Sequence, residues 1–167
     1  SKYVLQNAKG MEVEVSDFGA LVLAICVPDN KGNLRDVVLG FNTMEVYYDI
    51  STGFGAYIGR NANIIEGANV VIDNIEYQLD DNNGKNNLHS GLDRSHCKFY
   101  QAVYGDNEAG SYVEFSRTSP QMEQGFPRAL EQKICFTLTD KNKFINDYEM
   151  ISIYITKRTL SADFLIP

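Results

Sequence analysis

Met11-Glu12-Val13-Glu14-Val15-Ser16 places an apolar residue at every second position. Consecutive side chains of an extended strand point to opposite faces, so this stretch predicts a strand with Met11, Val13 and Val15 buried and the two glutamates solvated. Ser111-Tyr112-Val113-Glu114-Phe115-Ser116 alternates again, and Val70-Val71-Ile72 and Glu76-Tyr77-Gln78-Leu79 flank the turn Asp73-Asn74-Ile75. Leu21 to Val27 is a continuous apolar run closed by Pro28-Asp29-Asn30-Lys31-Gly32, and a short strand resumes at Asp36-Val37-Val38-Leu39-Gly40. Further strands are expected at Lys98–Tyr104, Leu130–Leu138 and Phe144–Ile151, with a short helical turn at Thr43–Tyr48. Short strands separated by Gly, Asn and Asp turns define an all-β fold, an antiparallel β-sandwich or barrel. Ten Tyr and nine Phe suit such half-buried pleated surfaces.

The 167 residues fit one domain, residues 1–167, with no linker, repeat or low-complexity tract to divide them. A formal net charge of -7 disfavours nucleic acid and anionic membrane surfaces, which select clustered Lys and Arg. No apolar run approaches the roughly 18 residues that span a bilayer, and Ser1-Lys2-Tyr3-Val4 lacks a signal-peptide layout, so a cytoplasmic location is expected. Cys26, Cys97 and Cys135 are far apart and read as reduced thiols. Cys97 follows His96, but neighbours on a strand face opposite ways, so the pair is poorly placed to share a proton.

The loops Gly53–Asn63 and Asp80–Ser95 are long for connectors and rich in Gly and Asn, so function is expected there. His89 and His96 have no ligand spacing that fits a metal, there is no nucleophile elbow, and Gly53-Phe54-Gly55-Ala56 lacks the helix and Lys of a phosphate cradle. No metal and no cofactor are expected. Arg60, Asn61, Asn63, Asn82, Asn83, Asn86, Asn87 and His89 remain, a set of hydrogen-bonding groups suited to sugar hydroxyls. The same asparagines also serve as turn builders, and residue type alone does not choose between the two.

Several blocks, in order along the chain, resemble the galactose mutarotase, or aldose 1-epimerase, family. Asp17-Phe18-Gly19-Ala20 is similar to its opening turn, followed by Val27–Gly32, Asp36–Phe41 and Tyr47. Gly59-Arg60-Asn61-Ala62-Asn63 resembles its Gly-Arg-x-Ala-Asn-Arg-Ile signature, and Leu88-His89-Ser90-Gly91-Leu92-Asp93 its Leu-His-Gly-Gly-x-Asp. Ser119-Pro120 with Gly125-Phe126-Pro127 matches a later block. The resemblance runs from about residue 11 to 152, and 153–167 read as an unrelated tail.

The resemblance implies the family's β-supersandwich, here incomplete relative to the full family domain. It also implies interconversion of the α and β anomers of a hexose such as galactose or glucose, by a Glu base and a His acid without metal or organic cofactor. His89 would hydrogen-bond the sugar oxygens, as a catalytic and substrate-binding residue, and Asn63 and Arg60 would contact the sugar. The family's donor histidine lies in an Asn-His-x-Tyr-Phe segment that has no counterpart here, and its downstream Asp and base Glu would fall beyond Pro167. The expectation is therefore a truncated chain with impaired or absent turnover. The alternative is a carbohydrate-binding or regulatory β-module without catalysis. A sandwich cut short would expose sheet edges, and a homo-oligomer paired through them follows. Five positions depart from the family pattern: Ile64 replaces an Arg, Ser90 and Arg128 replace glycines, and Arg94-Ser95 stands where Gly and an aromatic are usual. Positive φ at the former glycines would add strain of about 1 kcal/mol each.

Overall fold

A computed structural model describes residues 1–49 and 53–153, and the backbone of 157–165. The expected alternation is realised in the first sheet. Strands β1 (Lys2–Gln6), β2 (Glu12–Ser16), β3 (Leu21–Pro28) and β4 (Leu34–Asp36) pair antiparallel in that order. Met11, Val13 and Val15 are buried, while Glu12 and Glu14 keep contact with solvent. The turn after β3 is organised by Asp29, whose carboxylate accepts the backbone N–H groups of Lys31 and Asn33. The strand expected at Asp36–Gly40 forms earlier and ends at Asp36. The Asp36 carboxylate accepts the N–H groups of Ile25 and Val38, each at 3.1 Å, and so bends the chain away from the ladder. Helix α1 (Met44–Asp49) fulfils the helical expectation one residue along and buries Tyr47 against Phe18 and Leu21.

Two small ribbons follow. Strands β5 (Ile64–Ile65) and β8 (Asn87–Leu88) pair with each other, as do β6 (Asn69–Ile72) and β7 (Ile75–Gln78). Asp73 and Asn74 both take positive φ, which gives the two-residue hairpin its favoured twist. The second large sheet contains β9 (Gln101–Asn107), β10 (Gly110–Ser119), β11 (Leu130–Leu138), β12 (Lys143–Ser152) and β13 (Lys157–Leu165), paired in the order β13-β12-β11-β10-β9. Strand β9 starts three residues later than expected, because Ser95–Cys97 forms a 3-10 turn and Phe99 bridges Phe18. The segment expected to be a tail pairs along β12 from Ile151 with Lys157 to Lys143 with Leu165. Its residues 154–156 and 166–167 lie outside the described residues.

The two large sheets bury one core. Leu5, Met11, Val13, Val15 and Ile25 from the first meet Val113, Phe115, Ile134, Phe136, Leu138 and Phe144 from the second. Phe115 and Phe136 meet edge to face at 6.0 Å. Burying each such side chain is worth roughly 1.5–3 kcal/mol against exposure. Asn7 ties the sheets' turns together: its amide donates to the Thr139 carbonyl at 2.9 Å, and its Oδ1 accepts the N–H groups of Lys9 and Met11. No helix among the described residues is long and apolar enough to cross a membrane.

Candidate sugar site

The ribbon β5–β8 brings the two long loops together, with Ile64 opposite Leu88 and Ile65 opposite Asn87. Just before β5 and just after β8 the chains continue to hold one another. The His89 N–H donates to the Asn63 carbonyl at 3.1 Å, and the Asn63 N–H donates to His89 Nδ1 at 3.0 Å. The Asn61 N–H donates to Ser90 Oγ at 2.6 Å, and that hydroxyl donates to the Asn61 carbonyl at 3.0 Å. An imidazole nitrogen that accepts an N–H carries no proton, so in neutral His89 the proton sits on Nε2. His89 therefore presents a donor, and it is half-buried beside the exposed Asn63.

Asn63, His89 and Ser90 have φ of 67°, 54° and 73°. Ser90 and Arg128, the two replacements of family glycines, do lie in the left-handed region, Arg128 at 69°. Arg94, at φ of -67°, does not. Ile64 is 52% exposed, so the position of the family's arginine carries an apolar side chain in solvent.

The asparagines divide. Asn82 donates to the carbonyls of Leu88 and Gly91 and accepts the Leu88 N–H at 2.7 Å; Asn87 donates to the Asp80 carbonyl; Asn86 accepts the Gly67 N–H. Their amides shape the His89 loop, so turn building is the reading that holds for these three.

Arg60 is placed differently from Asn63 and His89. Its Nε donates to Ser119 Oγ at 2.8 Å, Nη1 to the carbonyls of Pro127 and Arg128, and Nη2 to those of Ser119 and Pro120. Those bonds occupy all five guanidinium N–H groups. The side chain also lies over the Phe126 ring, 5.9 Å from its centre. It clamps the 119–128 segment to the loop before Asn63, and no N–H remains for a ligand. Beside it, Ser119 Oγ donates to Glu123, whose carboxylate receives Arg117 Nη2 at 2.6 Å and Nη1 at 3.2 Å. Burial works to raise the Glu123 carboxyl, but the Arg117 and Ser119 hydrogen bonds outweigh it and hold it below its ordinary value. This buried pair was not singled out in the sequence. A Glu placed beside the matched Gly125-Phe126-Pro127 block was the only local signal for it.

An apolar cleft of about 500 Å³ is lined by Tyr57, Ile58, Arg60, Ala62, Tyr148 and Met150, with Tyr57 and Tyr148 stacked at 5.7 Å. Burial, then the neighbouring Tyr148, pushes the Tyr57 phenol up to about 12. Neither Asn63 nor His89 lines this cleft. His96 is buried, and burial, then the charges of Arg94 and His89, brings its imidazole down to about 4. His96 and Cys97 share the 3-10 turn rather than a strand, yet His96 is buried and Cys97 exposed, so they still point apart.

A sequence model of the family described as aldose 1-epimerase matches residues 1–161. The chain belongs to the aldose 1-epimerase family. Galactose mutarotase of Bos taurus is 35% identical over 145 residues, 87% of this chain and 41% of that protein. Aldose 1-epimerase of Escherichia coli K12 is 33% identical over 144 residues, 86% of this chain and 41% of its own. The crystal structure of an aldose epimerase homologue from C. elegans superposes with a TM-score of 0.82 at 26% identity, covering 91% of this chain and 46% of that one. Galactose 1-epimerase from Lactobacillus acidophilus gives a TM-score of 0.80 at 22% identity, over 89% and 43%, a likeness of fold. The chain thus spans about two-fifths of the length of the curated aldose 1-epimerases it matches.

Proposed function

We propose that this single β domain is the sugar-recognising portion of an aldose 1-epimerase acting on hexoses such as galactose or glucose, with His89 and Asn63 contacting the sugar and no metal or organic cofactor involved. The observation that carries the reading is the His89–Asn63 clasp, which leaves an Nε2–H to donate to a sugar oxygen. Anomer interconversion removes a proton from the anomeric hydroxyl and delivers one to the ring oxygen, each transfer contributing on the order of 10² to 10⁴ in rate. His96, the second of the two histidines, is buried and neutral down to about pH 4, so it is a poor proton donor near neutrality. That favours recognition with impaired or absent turnover by these 167 residues, and it gives weight to the second reading, a carbohydrate-binding module. Arg60 supports the site as a clamp, not as a ligand contact. A cytoplasmic location and self-association through sheet edges belong to the same proposal.

Polarimetry of freshly dissolved α-galactose and calorimetric titration with galactose separate the readings. The expected result is galactose binding that His89→Ala weakens about three- to tenfold, the loss of one hydrogen bond, with mutarotation at the buffer rate. Acceleration that disappears in His89→Ala would make His89 catalytic in this chain and overturn the claim of impaired turnover. Absence of binding would overturn the sugar reading altogether.

A further inference from the structure

The Ser90 hydroxyl sits where the resembled family has a glycine, and a glycine would hold φ of 73° at no steric cost. The serine gives up that ease and gains two bonds. A hydroxyl has one proton and two lone pairs, so Ser90 Oγ donates to the Asn61 carbonyl and accepts the Asn61 N–H at once. Ser90 is fully buried, so water does not replace either bond if the hydroxyl is removed. One residue earlier in one strand and two residues later in the other, His89 and Asn63 make their reciprocal pair. The two pairs are adjacent rungs, and three of their four residues hold left-handed backbone that non-glycine residues adopt only when their surroundings over-determine it. The Asn63–His89 rung continues directly from the β5–β8 ribbon, and the Asn61–Ser90 rung closes its far side. Without the Ser90 hydroxyl only the ribbon side still holds the Asn63 N–H, the group that keeps the proton off His89 Nδ1.

We propose that Ser90 is a positioning residue: by clasping Asn61 it holds the Asn63 N–H against His89 Nδ1 and fixes His89 as the Nε2–H tautomer, a donor to a sugar oxygen. The sugar in this statement rests on the proposed function; the tautomer does not. Its role would also explain why a serine is tolerated at a left-handed position, since the two bonds offset the backbone cost.

Ser90→Gly and Ser90→Ala separate the hydroxyl from the strain. Glycine relieves the left-handed backbone and alanine keeps it, while both lack the hydroxyl. Long-range ¹H–¹⁵N correlation of the imidazoles in the intact chain reads the tautomer directly. The wild type is expected to show His89 as one tautomer protonated at Nε2, and both variants a mixture of the two. Titration with galactose is expected to show affinity lowered about three- to tenfold in both variants, even where Ser90→Gly melts no lower than wild type. A role in stability alone would not move the tautomer in a variant whose melting temperature is kept. A pure Nε2–H form in both variants would overturn the proposal, as would lost affinity with an unchanged tautomer. Should the wild type fail to bind galactose, the sugar reading falls, and the imidazole spectra still decide whether Ser90 sets His89.

Discussion

At the scale of single residues, the chain's histidines show how burial divides one side-chain type into two roles. His89 is half-buried and hydrogen-bonded through Nδ1, while His96 is 5% exposed and has no partner for Nε2 among the described residues. For His96, burial first and the charges of Arg94 and His89 next lower the imidazole from 6.5 to about 4. The unfolded chain takes up a proton below about pH 6.5 and the folded chain does not until about pH 4, so folding loses stability as pH falls through that window and the loss levels off below it. The full effect is on the order of 3 kcal/mol. His96→Gln removes the titration, so the stability difference between wild type and variant, from urea unfolding at a series of pH values, should shift against the wild type by that amount between pH 7 and pH 4. Parallel curves would show that His96 gains its proton in the fold as readily as in solution. The left-handed backbone at Ser90 and Arg128 was legible from the sequence, because glycines stand there in the family the chain resembles. The hydroxyl clasp that offsets the strain was not, since the backbone of Asn61 is 29 residues from Ser90 and nothing local marks it.

At the scale of elements, legibility follows the range of the interactions. Strand β11 was read to its observed ends and β2, β10 and β12 to within a few residues, because alternation is a local pattern that the buried face of each strand imposes. Strand β1 was not read: it is an edge strand, and Leu5 is its only fully buried residue. Strands β5 and β8 are two residues each and carry no period to detect. Arg60 was legible as important but not as a clamp, since the groups it binds lie about 60 residues downstream. Those groups converge on the Arg117–Glu123 pair, whose side chains are only 12% and 8% exposed. Removing one member of such a pair leaves the other charge buried without its partner. Glu123→Gln should therefore destabilise the fold by about 3–5 kcal/mol, read as a lowered denaturant midpoint. Arg117→Met with Glu123→Gln should recover much of that loss, because no buried charge of the pair is then left alone. A Glu123→Gln midpoint equal to wild type would mean that water reaches and solvates Arg117.

At the scale of the whole molecule, two sheets enclose one core, and among the described strands β9 pairs with β10 alone. Strand β9 ends the second sheet, with Val103 59% and Tyr104 69% exposed along it. An open edge with apolar side chains is a template for pairing with another strand, and a second copy of this chain offers the same edge. Opposing that, each copy carries a net charge of -7, so two copies repel until salt screens them; the Debye length falls from about 30 Å at 0.01 M to about 8 Å at 0.15 M. Self-association should therefore be weak at low ionic strength and strengthen as salt is added, the reverse of an interface held by ion pairs. Sedimentation velocity over a range of protein concentrations, at both salt levels, should show a sedimentation coefficient that climbs with concentration, more steeply at the higher salt. Val103→Lys places a charge on the edge while leaving the half-buried Ala102 of β9 against the core, so it should return the coefficient to the monomer value with an unchanged circular dichroism spectrum. A wild type that sediments as a monomer at every concentration and salt would show that the β9 edge is closed to a second copy. Association that survives Val103→Lys would move the contact to another surface.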